Sequence, residues 1–180
     1  MTLMTETAPR TPAAATDAAP LLAVRNIEVV YDNVILVLRG LSLVAEAGQM
    51  TALVGPSGGG KSTILNTILR LYEPQSGAVL IDGQDIGNVS RHSLREQIAY
   101  VGQDVFLFHG TIRENIAFGK DDATEEQIVA AAKAANAHDF IMSFPRGYDA
   151  HTGEQGLQLS GGQRQRIAVA RALIRDAKLV

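Results

Sequence analysis

A glycine-rich segment at residues 55–63 has the composition and spacing needed to bind phosphate groups. It reads Gly-Pro-Ser-Gly-Gly-Gly-Lys-Ser-Thr, follows the apolar stretch Met50–Val54 and leads into a helical pattern at Ser62–Leu71. Glycines let backbone N–H groups turn around a phosphate, and the following helix directs its positive end to the same place. Lys61 adds charge for the β- and γ-phosphates, and the Ser62 hydroxyl suits Mg²⁺. The segment predicts a nucleoside-triphosphate site built from Gly55, Pro56, Ser57, Gly58, Gly59, Gly60, Lys61, Ser62 and Thr63.

A second segment, Leu-Ser-Gly-Gly-Gln at residues 159–163, opens a predicted helix. Ser160 and Gln163 have the spacing of a capping box, with which any helix could begin. Gly161 and Gly162 do not fit that explanation, because glycine weakens a first turn. They are consistent with a bare helix end that approaches a phosphate.

Strand and helix patterns alternate along the chain, which predicts an α/β fold with a largely parallel sheet. We expect strands at Leu22–Tyr31, Val34–Leu38, Leu41–Val44, Met50–Val54, Gly77–Ile81, Ile98–Val101 and Lys178–Val180, with a turn at Arg39-Gly40 between the second and third. We expect helices at Ser62–Leu71, Ser93–Gln97, Glu125–Ala135 and Gln163–Ile174, and Thr124 as the N-cap of the third. Tyr31 and Gln103 follow or end predicted strands, and without the phosphate loop they would be ordinary strand and loop residues.

Composition limits the possible classes of protein. The 180 residues are 46% hydrophobic and 19% charged, with a net charge of −3 and no cysteine. This balance predicts one globular domain at residues 21–180, preceded by a disordered tail at residues 1–20. It argues against a nucleic-acid partner, since such proteins carry a basic face. No apolar run is long enough to cross a bilayer, so a role in transport requires a membrane partner.

Residues 55–63 and 159–173 together resemble the ATP-binding cassettes of ABC transporters. The resemblance implies a P-loop NTPase with a RecA-like parallel core, an N-terminal antiparallel β subdomain and a helical subdomain at about residues 104–165. It implies ATP and Mg²⁺ as cofactors, with Thr63 on the α-phosphate side and Tyr31 stacked on adenine. Lys61 and Gln103 become catalytic residues, and Ser62 and Gln103 metal contacts. A second cassette, bound head to tail, would present its nucleotide to Ser160, Gly161, Gly162 and Gln163.

The branch of the family is indicated by three further segments. Residues 105–119 and 144–158 resemble exporters, and Thr152-Gly153-Glu154 falls where exporters contact their membrane domain. Residues 22–43 resemble importer ATPases for branched-chain amino acids, which suggests a hybrid chain joined near residues 44–52. The resemblance implies the ATP-hydrolysing subunit of an exporter, held at the cytoplasmic face of the cell membrane by a transmembrane-domain subunit.

The family continues beyond Val180 with an Asp-Glu pair and a histidine that act in hydrolysis. We therefore expect a cassette that is incomplete at its C-terminus, lacks the general-base glutamate and turns over slowly. The alternatives are a nucleotide-binding fragment that does not hydrolyse ATP, or a soluble ABC ATPase outside transport. The exporter-like segment at 105–119 disfavours the latter.

Overall fold

The computed structural model describes residues 19–31, 35–153 and 159–180. These residues fall into two compact units, Met1–Arg95 and Glu96–Val180. The disordered tail predicted at residues 1–20 lies almost wholly outside the described residues, as does Glu154. The predicted subdivision into domains stays a prediction.

The first unit is built on an antiparallel sheet whose strands are ordered β2-β1-β3-β4. The strands are β1 (Leu22–Tyr31), β2 (Ile35–Ala45), β3 (Ser76–Ile81) and β4 (Gln84–Asp85). The bounds predicted for the first strand are confirmed, and β3 begins one residue before its predicted start. Val24, Ile27 and Val79 are buried on the sheet and supply much of its apolar contact.

Strand β2 corrects the prediction of two strands separated by a turn at Arg39-Gly40. Ile27 pairs with Leu41 and Val29 with Leu38, so Arg39 and Gly40 together stand opposite the single residue Glu28. Gly40 has a φ of +63°, which glycine adopts without strain. The glycine therefore produces a β-bulge within one continuous strand.

Two helices complete the first unit, α1 (Lys61–Ile68) and α2 (Arg91–Glu96). The strand predicted at Met50–Val54 is not formed: Met50 is 93% exposed and Val54 53% exposed. A strand exists only where a neighbour satisfies its backbone groups. No strand of the described residues pairs with this stretch, so its apolar composition alone does not make it a strand.

The second unit is helical, with α3 (Ile112–Ala117), α4 (Glu125–Ala134), α5 (His138–Met142) and α6 (Gly161–Leu173). Thr111, Thr124 and Ser160 each close a capping box at the start of a helix, which confirms Thr124 as an N-cap. The helices enclose one apolar core, whose fully buried members include Leu107, Ile112, Ile116, Ile141 and Ile167.

Parallel pairing is limited, in the described part of the chain, to one bridge between Ile98 and Leu179. The Ala99 N–H donates to Leu179 O (2.8 Å) and the Leu179 N–H donates to Gln97 O (3.1 Å). The two strands predicted at Ile98–Val101 and Lys178–Val180 thus meet in the expected direction but form no longer ladder. Among the helices that the structure describes, none has the length and apolar character to cross a membrane.

Candidate functional site

The phosphate loop makes a tight turn that ends in an uncapped helix. The Gly59 N–H donates to Pro56 O (3.1 Å), and Gly60 is the N-cap of α1 with a φ of +85°. Among the residues that the structure describes, no side chain caps α1, and its first turn contains no acidic residue. The first N–H groups of a helix have no partner within the helix, so this end offers donors and a positive dipole to an anion.

Two glycines of the loop are required by their own surroundings. Gly58 has a φ of +77°, which an L-residue with a side chain rarely adopts. At Gly60 the φ is also positive, and a Cβ would lie 2.6 Å from Leu38 Cδ2. The structure therefore explains the spacing of these glycines by backbone path and by the close approach of β2.

Lys61 supplies the positive charge of the site from inside the loop. Its Nζ donates to Gly55 O and to Pro56 O, each at 2.7 Å, and the side chain is half-buried. The ammonium group is therefore held where the loop curves around it. Ser62 is exposed beside it, whereas Thr63 is buried against the unit. An ammonium group, the positive start of a helix and an exposed hydroxyl suit a polyphosphate with Mg²⁺.

The other predicted site residues are placed as follows. Tyr31 ends β1, but its side chain lies outside what the structure describes. Gln103 is exposed in a loop of the second unit, after the bridge at Ile98. Ser160 and Gln163 form the predicted capping box: the Ser160 N–H donates to Gln163 Oε1 (2.8 Å) and the Gln163 N–H donates to Ser160 Oγ (3.3 Å).

Gly161 and Gly162 differ from the loop glycines because none of the residues described around them requires glycine. Among the described atoms, a Cβ on Gly162 would meet none within 4 Å, and a Cβ on Gly161 would meet only Arg164 Nη2 at 3.9 Å. Neither residue is among those with a positive φ. Each glycine costs α6 up to about 1 kcal/mol relative to alanine. The described residues therefore leave a bare, accessible helix start.

Comparison with known proteins decides the family. The sequence model of the ABC transporter family matches residues 38–180. The chain belongs to this family. Family membership implies that the nucleotide is ATP, and it confirms the prediction of an α/β P-loop NTPase.

The relatives are exporters or transporter subunits much longer than the matched segment. An uncharacterized ABC transporter ATP-binding protein of Sinorhizobium fredii is 51% identical over 87% of this chain and 27% of its own length. An ATP-dependent lipid A-core flippase of Syntrophus aciditrophicus is 50% identical over 88% of this chain and 26% of its own length. A bacterial Atm1-family ABC exporter with ATP bound superposes with a TM-score of 0.82, at 46% identity, over 94% of this chain and 30% of its own. The chain thus spans roughly a quarter of the relatives it matches.

The similarity to exporters is confirmed, and the hypothesis of a hybrid chain is contradicted. The alignments to the flippase and to an ATM1-type heavy metal exporter of Novosphingobium aromaticivorans extend over 159 and 169 residues. Each alignment is longer than residues 1–43 and longer than residues 53–180. Both alignments therefore include the predicted join at residues 44–52. The similarity of residues 22–43 to importers therefore marks no boundary.

This ABC cassette also has an exposed aromatic surface that its motifs do not predict, formed by Phe106, Phe108 and Phe118 in the second unit. Their side chains are 54%, 37% and 64% exposed. The Phe106 and Phe108 rings meet edge to face at 5.4 Å between centroids, and those of Phe108 and Phe118 lie 4.1 Å apart. The rings line an open cavity of about 340 Å³. The sequence signal was that three of only five phenylalanines fall within 13 residues.

Proposed function

We propose that the chain is the ATP-binding and ATP-hydrolysing part of an ABC exporter, placed at the cytoplasmic face of a cell membrane. The observation that carries this is the uncapped start of α1 together with the Lys61 ammonium group inside the loop. A fixed positive charge beside the N–H groups of a helix start is suited to a triphosphate. The family and the exporter relatives supply ATP and transport as the context.

In this proposal different residues bind different parts of the nucleotide. The loop Gly55–Gly60 and the first turn of α1 bind the phosphates, with Lys61 at the β- and γ-phosphates and Thr63 on the α-phosphate side. Ser62 holds Mg²⁺, which when bound neutralises charge on the phosphates. Tyr31 stacks on adenine, and Gln103 contacts the metal-bound water.

A second cassette would complete the site through residues 160–163. The capping box of Ser160 and Gln163 fixes the first turn of α6, and the two intervening glycines leave its surface bare. A helix start of this kind accepts a phosphate without obstruction. We propose that it receives the nucleotide of a partner cassette in a head-to-tail dimer.

The aromatic surface is the proposed contact with the membrane partner. Exposed, closely packed rings are typical of protein interfaces, where large aromatic side chains contribute most of the binding energy. Relatives named as a flippase and as a multidrug export ATP-binding/permease protein are about four times longer than this segment. A segment of the transmembrane-domain subunit is therefore the occupant that fits best.

The test is equilibrium binding of a fluorescent ATP analogue with Mg²⁺, measured beside steady-state ATP hydrolysis. Lys61→Ala removes a charged hydrogen-bond donor and should weaken binding by roughly ten- to a hundredfold. Lys133→Ala is the matched control, because Lys133 is an exposed lysine on α4. Equal binding by the Lys61→Ala variant and the native chain would refute the proposed site. Binding without turnover would retain the site and refute hydrolysis by this chain alone.

A further inference from the structure

Helix α6 carries two features at opposite ends of one rigid element. Its start holds the capping box of Ser160 and Gln163, and its last turn holds Arg171. At a rise of 1.5 Å per residue, about 15 Å separate Gly161 from Arg171. A movement of the helix at one end therefore has to appear at the other.

Arg171 connects this helix to the aromatic surface. Its Nε donates to Asn115 O (2.8 Å), its Nη2 to Asn115 Oδ1 (2.7 Å) and its Nη1 to Phe106 O (3.0 Å). The guanidinium carbon lies 5.0 Å from the ring centroid of Phe108 and 6.0 Å from that of Phe118. One side chain thus contacts all three residues of the surface, through a ring or through the backbone.

Asn115 fixes the same segment from α3. It is buried, accepts the Phe108 N–H (2.8 Å) and donates through Nδ2 to Phe108 O (2.9 Å). The N–H and the C=O of Phe108 are therefore both hydrogen-bonded to Asn115, which in turn accepts hydrogen bonds from Arg171. The rings are exposed, but the backbone and cation beneath them are anchored to α6.

The geometry requires arginine at position 171. Three hydrogen bonds in different directions use the planar fork of a guanidinium group, which can also lie against aromatic rings. A lysine ammonium has no such fork. The burial of the guanidinium lowers the pKa of Arg171, which reflects its position behind the rings.

We propose that Arg171 is a positioning residue that couples partner binding at the aromatic surface to the first turn of α6. A partner segment pressed on the rings moves or holds Arg171, and with it the helix start that faces the second nucleotide. The inference rests on the proposed function, since it takes the membrane partner and the second cassette from there. Arg171 itself touches no nucleotide in this scheme.

The first experiment tests whether Arg171 sets the arrangement of the rings. The chain has five phenylalanines, so labelling with fluorophenylalanine gives five ¹⁹F signals. Arg171→Met should shift the signals of Phe106, Phe108 and Phe118 and leave those of Phe140 and Phe144 in place. Unchanged signals from the aromatic surface would overturn the proposal.

Arg166→Met is the matched control, because Arg166 also lies on α6 and against a ring. Its guanidinium carbon is 4.8 Å from the Phe140 centroid, and its Nη1 donates to Asn136 O (3.0 Å). This variant should shift the signal of Phe140 and spare the aromatic surface. A shift of the aromatic surface by both variants would indicate general loosening of α6 and would overturn a specific role for Arg171.

The second experiment measures coupling in the assembled transporter, in membrane vesicles with its transmembrane partner. Arg171→Met should lower kcat for ATP by roughly three- to thirtyfold, which is the usual range for coupling residues, and leave KM unchanged. Because a smaller fraction of folded transporter would also lower the apparent kcat at unchanged KM, kcat is expressed per mole of transporter that binds the fluorescent ATP analogue. If Arg171→Met does not fold, Arg171→Lys takes its place. We expect this variant to lower kcat by a smaller factor and to leave KM unchanged.

The outcomes separate the two hypotheses. If wild-type vesicles hydrolyse no ATP, or if Lys61→Ala leaves their ATP hydrolysis unchanged, the proposed function is refuted, and the coupling with it. Turnover that depends on Lys61 but is equal in wild type and both Arg171 variants would refute the coupling alone. A fall in kcat with unchanged KM for Arg171 variants, absent from Arg166→Met, is the expected result.

Discussion

Replacement of Asn115 by alanine gives the sharpest test of the structure of the second unit. Asn115 is 1% exposed, and its side chain accepts the Phe108 N–H and the Arg171 Nη2 donor. It also donates to Phe108 O and to Thr111 O (3.0 Å). An alanine side chain makes none of these hydrogen bonds.

The expected cost follows from which groups keep a partner. Phe108 O retains the Thr152 hydroxyl (3.1 Å), and Thr111 O retains the Asn115 backbone N–H (3.1 Å). The Phe108 N–H loses its partner, which costs about 1–3 kcal/mol. The lost hydrogen bond to the Arg171 guanidinium adds about 1.5–3 kcal/mol. The free energy of unfolding should therefore fall by about 3–5 kcal/mol.

Urea denaturation followed by far-UV circular dichroism measures this change, provided that the slope of the transition is unaltered. Asn88→Ala serves as the control, because Asn88 is exposed in a short 3-10 turn of the first unit. We expect its effect to be within about 0.5 kcal/mol. A loss below about 1 kcal/mol for Asn115→Ala would refute the hydrogen-bond network around Phe108.

Three further predictions follow from individual residues. Gly162→Ala should raise the thermal stability of α6 by up to about 1 kcal/mol yet lower ATP turnover in the proposed dimeric transporter; a stable variant with full turnover would contradict our explanation of the bare helix start. Gly60→Ala should weaken binding of the ATP analogue, because a Cβ conflicts with Leu38 and with a φ of +85°, and unchanged affinity in a titration would count against it. Hydrogen bonds from Thr111 lower the pKa of Glu114, so the native chain should be more stable than Glu114→Gln above the ordinary glutamate pKa. This difference in stability should disappear as the pH falls through the lowered pKa of Glu114. A difference in thermal melts that does not change with pH would exclude this linkage.

Elements defined by local signals were predictable from the sequence. The alternation of β1, the capping threonine of α4 and the capping box of α6 are each contained within a few residues. Their bounds agree with prediction to within two residues. The phosphate loop belongs to the same class, because the positive φ angles of Gly58 and Gly60 arise from the local backbone path, although Leu38 adds a distant constraint at Gly60.

Features that depend on distant partners were not predictable. Met50–Val54 is apolar enough for a strand, but its conformation depends on a neighbouring strand that the described residues do not provide. Arg39-Gly40 has the composition of a turn, yet pairing with β1 makes it a bulge. Arg171 has the appearance of a surface arginine in the sequence, and its partners lie 56 and 65 residues away.

The glycines of this chain are of two kinds: those that packing within a unit requires, and those that it does not explain. At Gly77 a Cβ would strike the backbone oxygens of Arg25 and Asn26, and at Gly119 the backbone oxygen of Arg171. Packing within each unit fully explains these residues. Within the described part of the chain, Gly161 and Gly162 have open space and ordinary φ angles, so the described residues gain nothing from them and α6 loses stability. A residue that costs stability without a local reason is expected where another molecule binds, which is why the start of α6 is the strongest structural argument for a partner at this site.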